Sequence, residues 1–315
     1  MLLYIVKRTL RSFLSIFLIA CIVFVLLRQM PIEGYFPHTF DRMSEWELEL
    51  QLAGLGLLDP VPVQLWNFLV DVFTRFDFGE SIRYRQRIPV GQIIGGKAPI
   101  SLQFGLAAVA IGIPLGMALG VLMARKTGGA WDKGGTAYIA TINALPAPVY
   151  FVLIQLYGSD LINTRMLFDP AIPSTRILPI FTLILPIIAT NAMWMRRYMV
   201  DEINKDYIKL ARAKGVPGTT IFFRHVFRNA VVPMTNTIPI TLAFTIVGSI
   251  IVESLYSIPG TGGLLVNTIR IQDNPLVLAL VVLYSTMGIF GLFLGDMLMA
   301  LVDPRIRLRR KGDAR

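Results

Sequence analysis

Two histidines and one cysteine are all the imidazole and thiol chemistry in this chain of 315 residues. His38 and His225 stand far apart, and there is no H-E-x-x-H run and no cysteine pair, so no metal site is legible. An intramembrane enzyme would need such a set, or a nucleophile beside its base; neither is present, so no catalytic residue is assigned. Cys21 has no second cysteine to pair with, which excludes an intrachain disulfide and leaves the redox compartment unread. Charge is scarce as well, at 16% of residues. Within the long apolar runs only Asp296 titrates, with Glu253 at an edge. A proton- or ion-coupled carrier keeps ionisable groups near mid-bilayer, so that reading is weak and driving energy is expected from another subunit.

What fills the chain instead is apolar sequence. It makes up 54% of residues, the mean hydropathy is +0.62, and the apolar runs recur at bilayer length. Six spans are predicted, at about 9–30, 99–124, 136–157, 177–195, 230–252 and 276–300. Each is close to or above the ~20 residues that cross a ~30 Å hydrocarbon core. The fold class is therefore an all-α integral membrane bundle. The first span follows Lys7, Arg8 and Arg11, and its exit at Leu27-Arg28-Gln29-Met30-Pro31 has no small-x-small cleavage site, so it reads as a retained signal anchor.

Basic residues are divided unequally between the two sides. Segments sharing a side with the N-terminus carry 20 Lys and Arg against six acids; the opposite side carries ten against 13. The positive-inside rule then makes both termini cytoplasmic, as an even number of spans requires. The net charge of +10 is thus topological, and with no basic motif or aromatic platform a nucleic-acid partner is not expected. The predicted division is 1–30 for the N-terminal cytoplasmic end and first span, 31–97 for an external segment, 98–303 for the permeating core with its 196–230 loop, and 304–315 for a basic cytoplasmic tail.

In the external segment Met43–Leu52 reads as a short amphipathic helix. Asp59-Pro60-Val61-Pro62 then breaks the chain before an aromatic stretch, Trp66–Phe78, and the whole is expected to form a helical cap on the outer face. Gly91–Ala98 fits G-x-x-x-x-G-K but ends in Ala where magnesium chemistry needs a hydroxyl, so it is no nucleotide site. The spans are rich in proline (Pro114, Pro146, Pro148, Pro179, Pro186, Pro233, Pro239), as expected of kinked helices around a changing pathway or of plain packing irregularity. Ala108, Gly112, Gly116, Gly120 and Ala124 fall every fourth residue, a small-residue face that predicts close helix packing, with solute contact as the alternative. Thr237, Thr241, Thr245 and Ser249, with Asn236 beside them, form a polar stripe that either lines a pathway or satisfies local carbonyls.

The loop from Asp201 to Pro233 has the clearest local logic. A polar helix runs to Lys214, Gly215 is its C′ residue, Pro217 blocks continuation, and a second amphipathic helix follows. Ile221, Phe222 and Val226 share one face of that helix, and Arg224 and Arg228 another. The result is a cytosolic knuckle that a soluble partner could push, or a basic loop lying on the membrane surface.

The segment Asp206-Tyr207-Ile208-Lys209-Leu210-Ala211-Arg212-Ala213-Lys214-Gly215-Val216, followed by Phe223-Arg224-His225-Val226-Phe227-Arg228-Asn229-Ala230-Val231-Val232-Pro233, resembles the EAA-loop signature of ABC-transporter permeases. The variant is that of the dipeptide/oligopeptide uptake family. The stretches YIVKRTLRSF, LGLLDPVPVQLWNFL, FDFGESIRYRQ, SIPGTGGLLV and DPRIR resemble the same family, so the likeness runs nearly end to end. Lys209 stands where the general motif has glutamate and Leu210 where it has its first alanine, as in other peptide-type members.

The resemblance implies a six-helix type I permease in a bacterial inner membrane. Its partners would be a second homologous permease, two cytosolic ATPase subunits that hold the ATP and Mg²⁺, and an extracytoplasmic solute-binding protein, all amid membrane lipid. This chain would hold no cofactor. Tyr207, Ala211, Arg212, Ala213, Lys214 and Gly215 would meet an ATPase. Asn236, Thr237, Thr241, Thr245 and Ser249 would line the pathway, and Gly112, Gly116 and Gly120 would pack helices. The solute implied is a peptide; nickel, glutathione and oligosaccharides are imported by similar permeases.

Overall fold

The computed structural model describes residues 2–30, 43–54, 56–246 and 249–302. The basic tail 304–315 lies outside the described residues.

α1 (Leu2–Arg28) leaves Val6, Leu10, Leu14, Leu18, Ile22 and Leu26 open along one ridge at four-residue spacing. In water such a ridge would need a partner; lipid tails satisfy it, since they are as apolar as the leucines. The opposite face buries Ala20 and Phe24 against Leu278 and Val282 of α13 (Asn274–Val302). Arg8, near the start of α1, pairs with Asp296 at 2.6 Å, near the end of α13. The two helices are therefore antiparallel, and the N-terminus shares a side with the end of α13.

α4 (Val90–Arg125) is 36 residues long, or about 54 Å at 1.5 Å per residue, well beyond the hydrocarbon core. Its glycine face meets α7 (Ile177–Ile203). A Cβ at Gly112 would stand 2.7 Å from the Ile187 side chain, one at Gly116 2.8 Å from the Ile188 carbonyl, and one at Gly120 2.7 Å from the Ala192 carbonyl. The contacts advance in step along both helices, so α4 and α7 run parallel with their backbones nearly touching. Gly91–Lys97, the discarded phosphate motif, is the opening of this helix, a geometry that forms no phosphate cradle.

The predicted third span is not one helix. α5 (Ala130–Ala144) and α6 (Ala147–Leu161) are bent by 106°. Pro146 causes the break: the residue before a proline is driven out of the helical region, and Leu145 is extended at φ −86°, ψ 134°. The fifth span also ends early. α10 (Arg228–Ile246) packs against α13, where Gly291 lies under Ala243 and the Pro239 carbonyl. The chain re-forms as α11 (Ile250–Leu255) and α12 (Thr261–Arg270). Among the described residues four helices, α1, α4, α7 and α13, are long and apolar enough to cross a membrane, the bent α5–α6 pair makes a fifth, and α10 lies at the remaining predicted position.

Outside the bundle, α2 (Glu45–Gly54) opens with a capping box: Ser44 Oγ accepts from the Glu47 amide and Glu47 accepts from the Ser44 amide. α3 (Val61–Val70) continues into a π-turn over Asp71–Arg75. This segment does more than cap the bundle. Phe68 stacks on Phe24 at 5.0 Å and Phe73 meets Phe13 at 5.3 Å, so α3 lies along α1, drawn there by the aromatic stretch.

Candidate functional site

The Asp201–Pro233 loop folds as a rooted elbow. α8 (Asp206–Ala213) ends in a Schellman motif: the Gly215 amide donates to the Arg212 carbonyl at 2.9 Å and the Val216 amide to the Ala211 carbonyl at 3.2 Å. Gly215 carries φ +79° with open space where a Cβ would stand, so glycine is needed there for its backbone and not for room. After Pro217, α9 (Gly218–Thr220) leads into a π-wound stretch, Ile221–Phe227, continuous with α10. π winding spaces one face at five residues, and Ile221 and Val226 are both buried.

Beneath the elbow is an apolar plug. Ile208 is 0% exposed and packs with Ala124 of α4, Met195 and Met199 of α7, and Ala230 and Met234 of α10. One hydroxyl ties the three strands of the loop together. Tyr207 donates to Glu202 at the end of α7 and accepts from the Asn229 amide at 2.8 Å, while Lys205 pairs with the same carboxylate at 2.6 Å. Arg196 grips Asp132 with two hydrogen bonds, and Asp132 also accepts from the Gly128 amide, which fixes α5 to the inner end of α7.

The six residues expected to meet a partner divide by orientation. Ala213, Lys214 and Gly215 face outward. Arg212 lines a cleft behind the elbow. Tyr207 is exposed and its hydroxyl is tied to Glu202 and Asn229, and Ala211 is half-buried against the plug; both help to anchor the elbow. Leu210, unselected by sequence reasoning, is 57% exposed and stands about 200° around α8 from the wholly buried Ile208. That helical offset was a usable signal.

The pathway set is only partly described. The side chains of Asn236, Thr237 and Thr245 lie outside the described residues. Thr241 is half-buried on α10. Ser249 does not continue the stripe: it is extended at φ −86°, ψ 104°, and its hydroxyl caps α11 by accepting from the Val252 amide. Helical spacing misled here because the helix ends before it.

Near the N-terminal half of α4 lie two buried carboxylates that sequence reasoning missed as structural centres. Asp273, 0% exposed, accepts from the Ser81 hydroxyl at 2.5 Å and from the amides of Arg83 at 3.0 Å and Tyr84 at 2.8 Å, while Arg83 donates to the Ile271 carbonyl at 2.7 Å. Burial lowers the Arg83 pKa from its ordinary value, with the charge of Asp273 acting the other way. Glu253, 3% exposed, accepts from the amides of Gly262 at 2.7 Å and Gly263 at 3.2 Å in the first turn of α12. Beside it the Ser101 hydroxyl of α4 accepts from the Thr261 amide at 2.8 Å.

Residues 116–308 match the family model described as binding-protein-dependent transport system inner membrane component. Residues 1–87 match the model of the N-terminal part of such components. The chain is 31% identical over 306 residues to the dipeptide transport system permease protein of Lactococcus lactis, covering 97% of this chain and 99% of that one. It is 30% identical to the dipeptide permease of Bacillus subtilis, covering 98% and 99%. It is also 30% identical to the oligopeptide transport system permease of Salmonella typhimurium, covering 98% and 100%. Among solved structures, an inward-facing methionine ABC transporter, MetNI, aligns with a TM-score of 0.54 at 16% identity, over 67% of this chain and 97% of that one; this likeness concerns the fold.

Proposed function

The chain belongs to the family of binding-protein-dependent transport system inner membrane components, and we propose that it is one permease subunit of an ATP-driven importer of short peptides. The observation that carries the proposal is the rooted elbow: α8 presents Leu210 outward on a helix whose opposite face is sunk into the inner ends of α4, α7 and α10. A push on such a helix does not stay local. Packed interiors transmit displacement because they are dense and nearly incompressible, so α4, α7 and α10 would move with the elbow.

The partners in this reading are a second homologous permease, two ATPase subunits and an extracytoplasmic binding protein. ATP and Mg²⁺ reside in the ATPases, and this chain contributes half the pathway and no catalysis. Both termini are cytosolic, in keeping with the bias of basic residues and the antiparallel Arg8–Asp296 pairing. The peptide solute follows the printed names of the relatives; nickel, glutathione and oligosaccharide import remain the competing solutes. The test is transport by the reconstituted complex, with the ligand eluted from the binding protein identified by mass spectrometry. ATP-dependent accumulation of that peptide is expected. Uptake that follows the proton gradient without ATP would overturn the proposal.

A further inference from the structure

Behind the elbow, between the C-terminal ends of α4 and α7 and the π-wound stretch, lies an open cleft of about 330 Å³. That is room for many water molecules, since one needs about 10–15 Å³ of such space, and far more than a lone ion needs. Arg125, Lys126 and Arg212 line it, with Thr127 and Asn204 between them. None of its twelve lining residues is acidic. Of the neighbouring carboxylates, Asp132 is committed to Arg196 and Glu202 to Lys205 and Tyr207, and Asp201 on α7 is not among the lining residues. Among the described residues Arg125, Lys126 and Arg212 have no ion-pair partner. The remaining wall is apolar, with Ile221 and Phe222 prominent, and it leads onto the helices that enter the membrane.

We propose that this cleft binds the phosphate headgroup of an anionic phospholipid of the inner leaflet. Arg125, Lys126 and Arg212 share the lining with the apolar Val200, Ile203, Ile221, Phe222 and Val226, and in the proposed topology the cleft lies on the cytoplasmic side, where basic pockets between helices take anionic headgroups. A headgroup joined to acyl chains complements both walls; a free phosphate complements only the polar one. The bound lipid would brace the elbow from behind, between Arg212 on α8 and Arg125 and Lys126 on α4. The assignment is independent of which solute is carried.

The test uses the full chain in its purified transporter complex, with the Arg125→Gln, Lys126→Gln double variant. Each basic side chain near an anionic headgroup is worth about fivefold in binding, so the double variant should bind phosphatidylglycerol about 30-fold more weakly. Retained lipid is read by native mass spectrometry, and affinity by titrating phosphatidylglycerol against phosphatidylcholine in mixed micelles. The charge-keeping variant Lys126→Arg should retain lipid like the wild type, separating loss of charge from loss of fold. Unchanged retention in the double variant would overturn the proposal, as would equal binding of phosphatidylcholine. Displacement of the lipid by millimolar inorganic phosphate would assign the cleft to a soluble anion instead. Loss of the associated ATPase subunits with lipid retention intact would assign it to a protein partner.

Discussion

The N-terminal end of α4, around Val90 (the outer end in the proposed topology), is held by carboxylates buried among backbone amides, whereas its C-terminal, inner end, around Ala124, rests on an apolar plug, with the carboxylates Asp132 and Glu202 paired to Arg196 and Lys205 around it. At the outer end Asp273 draws in the Ser81–Tyr84 loop through backbone amides, and Glu253 caps α12. Directional bonds to a buried charge are strong, and they fail together once the charge leaves. At the inner end Ile208 rests in a plug of methionines and alanines, with α8 exposed above it. Methionine packs without a single rigid geometry, so the plug can repack as the elbow and the helices beneath it move together. The difference teaches where motion can enter: the outer end is fastened, and the inner end is seated.

The comparison can be broken most sharply at Asp273. Asp273→Ala strands four donors, the Ser81 hydroxyl and the amides of Ile82, Arg83 and Tyr84, and a loss of about 3 kcal/mol is expected; it would register as a clear fall in the thermal midpoint of the detergent-purified chain. A midpoint equal to wild type would mean that the outer end is not fastened there. Midway along α4, Gly116→Ala sets a Cβ against the Ile188 carbonyl, which is backbone and yields little. Overpacking of this kind costs about 1–3 kcal/mol, and the same unfolding measurement should record it.

At the inner end the effects should be smaller in stability and larger in coupling. Gly215→Val forces a β-branched residue to φ +79°, a strain of about 1–2 kcal/mol confined to the elbow. The variant should insert and fold normally, while solute-stimulated ATP turnover of the reconstituted complex falls; full stimulation would remove the elbow from the coupling path. Smallest of all, Tyr207→Phe deletes the hydroxyl between Glu202 and Asn229 at a cost of about 1 kcal/mol. Amide hydrogen exchange over 204–216 should quicken, with the midpoint almost unmoved. Slow exchange in that variant would show that the apolar plug alone secures the loop.

Much of the candidate site was legible in the sequence because its signals are local. Gly215 ahead of Val216-Pro217 marks a helix stop within a few residues, and Gly112, Gly116 and Gly120 mark a face by spacing alone. The errors arose where a local pattern was carried across a break. The third span reads as continuous until Pro146 forces Leu145 extended, and the hydroxyl stripe reads as continuous although Ser249 stands beyond the end of α10. Ala211 lies in the right motif but half-buried against the plug, because which side of α8 is buried depends on α4, α7 and α10 arriving beneath it.

Bilayer-length apolar runs and the end-to-end family likeness determined by themselves that this is a membrane permease, and local helix signals that it carries an elbow between its fourth and fifth predicted spans. They suffice because hydrophobic length and helix signals act along the chain, one segment at a time. Only the tertiary structure decided that Asp273 closes on Ser81 from 192 residues away and that Ile208, not Leu210, is the buried root of the elbow. It alone decided that Arg125, Lys126 and Arg212 share one cleft. Those pairings depend on where helices distant in sequence meet, and no periodicity within a single helix encodes its neighbour.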